Sequence, residues 1–243
     1  MRYGIFSDVH SNLEALKSVL EALKDRGVEE YFCAGDIVGY GADPGACIQL
    51  VKETCRVVVA GNHDRGAAGL LDLENFNPDA KKAVLWTGEQ LNEDELAYLK
   101  NLDLVWKGKD FIVVHATPVS PGEWDYITST FTAYRNFKEF EEKICFVGHS
   151  HTPVVFSIDI SEGKCSYAFE TEIDIADDRR YIINVGSVGQ PRDGNPLPSF
   201  AVYDTDASKV EMVRVEYDIE TAQKKIIDAG LPQGLAVRLS SGV

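Results

Sequence analysis

The chain has 243 residues, 44% hydrophobic and 26% charged, which is enough for one well-buried core, and a single domain over residues 1–243 is the expectation. No apolar run approaches the ~18 residues of a membrane helix, and the start MRYGIFSDVHSN reads as a first strand rather than a leader, so a cytoplasmic chain with no membrane partner is expected. The net charge of −15 argues against a nucleic-acid polymer as partner, and the five scattered cysteines, without a C-x-x-C pair, argue against a disulfide framework or zinc ribbon.

Arg2–Ser7 reads as a strand. Asn12–Arg26 reads as an amphipathic helix: Leu13, Leu16, Val19, Leu20 and Leu23 fall at helical spacing, with Asn12 as cap and Gly27 as stop. Glu30–Ala34 predicts a second strand, Pro44–Glu53 a second helix, and Arg56–Ala60 a buried strand running into GNHD. Asp79–Gln90 and Glu93–Asn101 follow as helices, then Leu104–Trp106 and Phe111–His115 as strands about a turn. Ala116–Phe140 is rich in Thr, Pro and Tyr, with a helical last part, and is the best candidate for a substrate-facing loop. Ile144–Val147 is a strand ending in GHSH.

Beyond it the grammar changes. Val154–Ile158, Cys165–Phe169, Tyr181–Val185, Phe200–Asp204 and Val210–Glu216 are strand-like, and no helix returns until Ile219–Ala229; residues 221–243 read as a closing helix and tail. The pattern is α/β: β-α units followed by antiparallel strands.

All five histidines, His10, His63, His115, His149 and His151, lie at or just past the end of an apolar strand-like run, beside Asp, Asn, Gly or another His. Ligand sites of open α/β sheets gather at such an edge. In an extended segment residues i and i+2 point the same way, so Asp8 and His10 are expected to face one point, and so are His149 and His151. Asp36 adds a carboxylate able to bridge two cations, Asn62 an amide oxygen and His115 a fourth imidazole. Mixed N and O ligands without thiolate suit Mn, Fe, Zn, Co or Ni better than calcium. Gly35, Gly61 and Gly148 precede these turns and permit close backbone approach.

The order D-x-H, G-D, G-N-H-D, H, G-H-x-H resembles the calcineurin-like metallophosphoesterase superfamily across Asp8–His151. GDIVGYGADP (Gly35–Pro44) and NVGSVGQPRDGNP (Asn184–Pro196) look like segments of its small bacterial and archaeal branch. The resemblance implies a four-layer α/β/β/α sandwich of two mixed sheets flanked by helices. It implies two divalent or transition-metal ions (manganese, iron, zinc or nickel). Asp8, His10, Asp36 and His151 would hold one, and Asp36, Asn62, His115 and His149 the other, with Asp36 bridging. It further implies hydrolysis of a phosphodiester or phosphomonoester of a small nucleotide-like or other phosphorylated compound, by attack of metal-bound hydroxide. His63 matches the histidine that meets the substrate and is the candidate general acid.

Protein serine/threonine phosphatases of the superfamily carry Asp and Arg just after G-D, where this chain has Gly39 and Tyr40, which weakens a protein phosphatase reading and leaves the partner of His63 open. Arg65 and Arg192 are candidates to fork onto phosphate oxygens, and Tyr126 and Tyr134 to stack on an aromatic leaving group. The competing reading is a regulatory scaffold of the same fold without catalysis. Whether the chain forms a homo-oligomer is left open. The nucleophile elbow G-x-S-x-G is absent, since histidines flank Ser150 and Thr152 replaces the last glycine.

Overall fold

A computed structural model describes residues 1–243. The elements run β1 (Arg2–Phe6), α1 (Leu13–Asp25), β2 (Glu30–Cys33), α2 (Pro44–Thr54), β3 (Val57–Val58), α3 (Asn62–Ala67), α4 (Pro78–Gln90), α5 (Glu93–Lys100), β4 (Val105–Lys107), β5 (Phe111–Val114), α6 (Thr130–Asn136) and β6 (Ile144–Val147). They continue β7 (Val154–Asp159), β8 (Cys165–Ala168), β9 (Glu172–Asp174), β10 (Arg179–Asn184), β11 (Ser199–Asp204), β12 (Lys209–Arg214), α7 (Ile219–Asp228) and α8 (Gln233–Val237). Two six-stranded mixed sheets result, ordered β3-β2-β1-β11-β12-β9 and β4-β5-β6-β10-β7-β8. β3, β2 and β1 run parallel, as do β5, β6 and β10; antiparallel strands continue the first trio beyond β1 and flank the second on both sides.

Strand alternation builds the layers. Ile5 points between the sheets and Phe6 toward the helices; Phe111 and Val113 point inward, Ile112 and Val114 outward; Phe146 inward, Cys145 and Val147 outward. Both faces of these strands are buried, so they read in sequence as continuous apolar runs rather than alternating ones. Phe32, Phe111, Phe146, Tyr3 and Tyr203 meet edge-on or tilted between the sheets. Each large side chain removed from water there contributes roughly 1.5–3 kcal/mol.

The outer face of the first sheet is covered by α1 and α2 and by Val84 and Leu99 of α4 and α5. α1 buries Ala15, Leu16, Val19 and Leu23 on one face and is capped by the Asn12 side chain on Ala15 N at 3.2 Å. The second sheet's outer face is covered more thinly, by the short α6 with Ile127, Phe137 and Phe140.

Three short elements depart from the sequence expectation. α3 falls within the GNHD segment, where no apolar period announces it, and closes when the Asp64 carboxylate accepts from Gly61 N at 2.9 Å. β9 is a three-residue edge strand rich in acids. Past α7, the expected tail is instead α8, packing with Ile226, Leu231 and Leu239 against Tyr40. No helix is long and apolar enough to cross a membrane.

Candidate metal centre

The carboxyl ends of the parallel strands open on one rim. Asp8 and His10 follow β1, Asp36 follows β2, Asn62 follows β3, His115 follows β5, His149 and His151 follow β6, and Gln190 and Arg192 follow β10. All of these but the partly exposed Arg192 are buried. Three groups of ligand-bearing side chains result: Asp8 with His10 and His151, His10 with Asp36 and His63, and Asp36 with His115 and His149.

The backbone that presents them is not extended. Asp8, His10, Asp36, His149 and His151 all have φ between 49° and 67°. The left-handed region is costly for residues with a Cβ and persists where surroundings over-determine it. The i, i+2 expectation is therefore corrected. Asp8 and His10 do meet, with His10 Nε2 3.6 Å from Asp8 Oδ1, but through a strained turn. His149 and His151 part company, one beside His115 and Asp36, the other beside Asp8 and His10.

Four imidazoles are pinned by backbone carbonyls. His10 Nδ1 contacts Val38 O at 3.1 Å, His115 Nδ1 contacts Ala34 O at 2.8 Å, His151 Nδ1 contacts Gln190 O at 2.6 Å, and His149 Nε2 contacts Trp124 O at 2.8 Å. A carbonyl only accepts, so each of these nitrogens carries the hydrogen and the other ring nitrogen presents a lone pair. Those lone pairs then face each other: His10 Nε2 and His151 Nε2 lie 3.1 Å apart, and His115 Nε2 and His149 Nδ1 3.2 Å. Asp36 Oδ2 sits between the sets, 3.6 Å from His10 Nε2 and 3.3 Å from His115 Nε2, while Oδ1 accepts from His63 N. Asp8 Oδ1 and Asn62 Oδ1 are buried without a hydrogen-bond partner. Converging lone pairs and orphaned acceptors are what divalent cations satisfy, and the donor set fits them.

Charge follows the same logic. Burial opposes ionisation of Asp8 and Asp36, but His151 beside the first and His115 beside the second outweigh it and hold both carboxyls well below the ordinary range. Burial lowers His149 to about 4, helped by His115, and His151 to about 3, against the pull of Asp8. At His115 burial is overcome by Asp36, and the ring is pushed up to about 9, so without a cation its Nε2 carries a hydrogen that a cation would have to displace to use the lone pair.

Close approach depends on two glycines. A Cβ on Gly61 would stand 2.0 Å from Asp36 Oδ1, and one on Gly148 2.3 Å from Asp8 Oδ2.

His63 is treated differently. Neither ring nitrogen meets a backbone carbonyl; Nδ1 is buried and unpartnered beside Gly39. Aromatic rings hold it instead: Tyr40 with centroids at 4.5 Å, Phe76 at 5.1 Å and His10 at 4.8 Å. Burial pushes this imidazole well below its ordinary pKa. It lines a cleft of about 300 Å³ with Asn62, Phe76, Trp124, Tyr126 and Arg192.

The two arginines separate. Arg192 lies in the cleft, with its guanidinium on Gln190 Oε1 at 2.8 Å and Tyr40 OH at 3.2 Å. Arg65 does not: its guanidinium donates to Lys100 O and Leu102 O past the end of α5, so the expected phosphate grip from Arg65 is corrected to a structural clamp. Tyr126 stacks on His149, with centroids 4.2 Å apart and planes 17° from parallel, whereas Tyr134 lies outside the cleft with Lys138 over its ring. Sequence reasoning missed Gln190, whose carbonyl fixes His151 and whose side chain holds Arg192; its place inside NVGSVGQPRDGNP was the available signal.

A two-sheet sandwich with buried Asp, Asn and His side chains gathered at its rim defines a metallophosphoesterase, and comparison agrees. The calcineurin-like phosphoesterase superfamily domain matches residues 1–208, and the chain belongs to that superfamily. An uncharacterised protein of Methanocaldococcus jannaschii is 43% identical over 243 residues, covering 98% of this chain and 97% of the relative. A metallophosphoesterase from Sphaerobacter thermophilus superposes with a TM-score of 0.86 at 42% identity, over 100% of this chain and 99% of that one. A hypothetical protein from Pyrococcus horikoshii OT3 shares the fold, with a TM-score of 0.78 at 22% identity over 100% of this chain and 98% of that one.

Proposed function

We propose that the chain hydrolyses small phosphate esters with two divalent cations, one held by Asp8, His10, Asp36 and His151 and one by Asp36, Asn62, His115 and His149. The observation that carries this reading is the pairwise convergence of imidazole lone pairs, each ring locked by a carbonyl, on buried carboxylates. When bound, the cations supply Lewis-acid stabilisation of phosphoryl charge and lower the pKa of water. Arg192, steadied by Gln190 and Tyr40, offers its fork to phosphoryl oxygens at the open side of the cleft. The pinned tautomers of His10, His115, His149 and His151 keep their lone pairs aimed inward. His63, whose Nδ1 is buried against Gly39, keeps Nε2 for the substrate. It gives a proton there to the departing oxygen once an anionic phosphate restores its affinity for that proton. Tyr40 and Phe76 fix the ring plane for that transfer.

The partner in this reading is a small phosphorylated compound rather than a polymer, given a cleft of about 300 Å³ in a chain of net charge −15. The test is metal-stripped protein, reloaded separately with Mn²⁺, Fe²⁺, Ni²⁺ or Zn²⁺ and assayed on chromogenic phosphomonoesters and phosphodiesters. Metal content is measured by elemental analysis. Two ions per chain and turnover in the same preparations are expected. Full occupancy without turnover on either ester class points instead to a regulatory scaffold.

A further inference from the structure

Beside the metal cleft lies a second pocket of about 220 Å³, between the segment that follows β5 and helix α6. Tyr126, half exposed and stacked on His149, forms a wall common to both. The pocket is built rather than incidental. Asn136 of α6 accepts from Val119 N at 3.2 Å and donates to Thr132 O at 2.9 Å, which ties the loop to the helix.

Two of its groups lack partners. Thr117, two residues after His115, is 2% exposed, and its Oγ1 is buried with no hydrogen bond. A buried hydroxyl left unpaired is destabilising and calls for an occupant. Arg135 is the other. Nine of the ten arginines in the chain place their guanidinium on a protein acceptor; Arg135 alone does not, and it lines this pocket. Arg135 is exposed, and in so acidic a chain its guanidinium, free of any protein acceptor, and the Thr117 hydroxyl lining the same pocket are two donors an oxyanion can use. Asp125 also lines the pocket and makes no ion pair, so an anion must sit on the Arg135 side, with Asp125 left to accept from hydroxyls.

We infer that this pocket is a subsite for the leaving half of the substrate and selects phosphodiesters whose leaving group carries a second oxyanion, reached past Tyr126. The inference rests on the hydrolase reading of the metal cleft and narrows its substrate class.

The test compares metal-loaded protein on dithymidine monophosphate with and without a terminal phosphate on the leaving nucleoside. The wild-type chain should show a KM about tenfold lower for the terminally phosphorylated ester, as a charge-assisted hydrogen bond implies. Arg135→Ala should bring that ratio near one. Thr117→Val should reduce it about threefold while raising Tm, since it removes an unpaired buried hydroxyl; a merely structural threonine would lower Tm instead. Lys138→Ala, which removes an exposed cation just past α6, should keep the wild-type ratio. A wild-type ratio of one with good turnover of both esters overturns the inference and leaves the hydrolase reading standing. An equal collapse in Lys138→Ala and Arg135→Ala overturns it in favour of bulk electrostatics. No turnover of either diester overturns the inference, and the hydrolase reading falls with it only if chromogenic phosphomonoesters are also left uncleaved.

Discussion

The floor of the cleft and its wall are built on different principles. On the floor, His10, His115, His149 and His151 each spend one ring nitrogen on a backbone carbonyl, and all but His115 stand on left-handed backbone. On the wall, His63 has no such anchor and is held by the faces and edges of Tyr40 and Phe76. A cation needs a fixed tautomer, because a ligand that can place its proton on either nitrogen is a poor ligand. A group that passes a proton needs one nitrogen free to face the substrate. The same side chain is tuned for two tasks by what surrounds it.

Asp36→Asn should do the most damage to the floor of the cleft. One oxygen of Asp36 serves both imidazole sets, so the change should empty both cation positions and lower kcat/KM by more than about 10³-fold. Elemental analysis beside kinetics checks it. His63→Asn sharpens the contrast: metal content should stay at the wild-type level while kcat falls roughly 10²-fold or more. Loss of metal in His63→Asn would sink the division between floor and wall.

Third comes the acid stability of metal-stripped protein. His149, His151 and His63 have folded pKa values below their unfolded value of 6.5, so the stability they contribute is complete above pH 6.5 and is lost as pH falls. Asp64 opposes them: burial and then Asp36 raise it to about 7, so its contribution grows as pH falls from 7 toward 3.8. His115, raised to about 9, also opposes them, so three groups stand against two and a net loss on the order of 2–3 kcal/mol remains between pH 6.5 and 5. Urea titrations at both pH values measure it, and cation loading should raise stability at both while steepening the loss, since a cation-bound imidazole takes no proton. Smallest is the arginine pair. Arg192→Ala should raise KM about tenfold, as loss of a charge-assisted bond implies, whereas Arg65→Ala should leave KM within about twofold and lower Tm.

Much of this was legible in the sequence, for physical reasons. Strands buried on both faces, such as Phe111–Val114 and Ile144–Val147, announce themselves as unbroken apolar runs. The site residues follow those runs directly, so their chain order marks the rim. The conformation at the rim was not legible. Positive φ at Asp36 and Asp8 accompanies close tertiary packing against Gly61 and Gly148 respectively, which no local pattern reports. Arg65 reads as a phosphate ligand because it follows GNHD, yet α3 turns its guanidinium toward the end of α5. Tyr40 reads only as the absence of an aspartate; its role beside His63 depends on α7 and α8, some 180 residues further along the chain.

The strap after β10 also carries a consequence in time. Ser187 Oγ and Gly189 N both donate to Asp8 O, Val188 N donates to Ser7 O, and Gln190 O takes the hydrogen of His151. A chain emerging from the ribosome therefore exposes Asp8, His10, Asp36 and Asn62 long before the segment that braces them exists. Contacts of such long sequence separation form late and slowly. Until Gln190 has emerged, His151 lacks the carbonyl that sets its ring, so the nascent chain carries the proposed cation site unbraced over its first 190 residues.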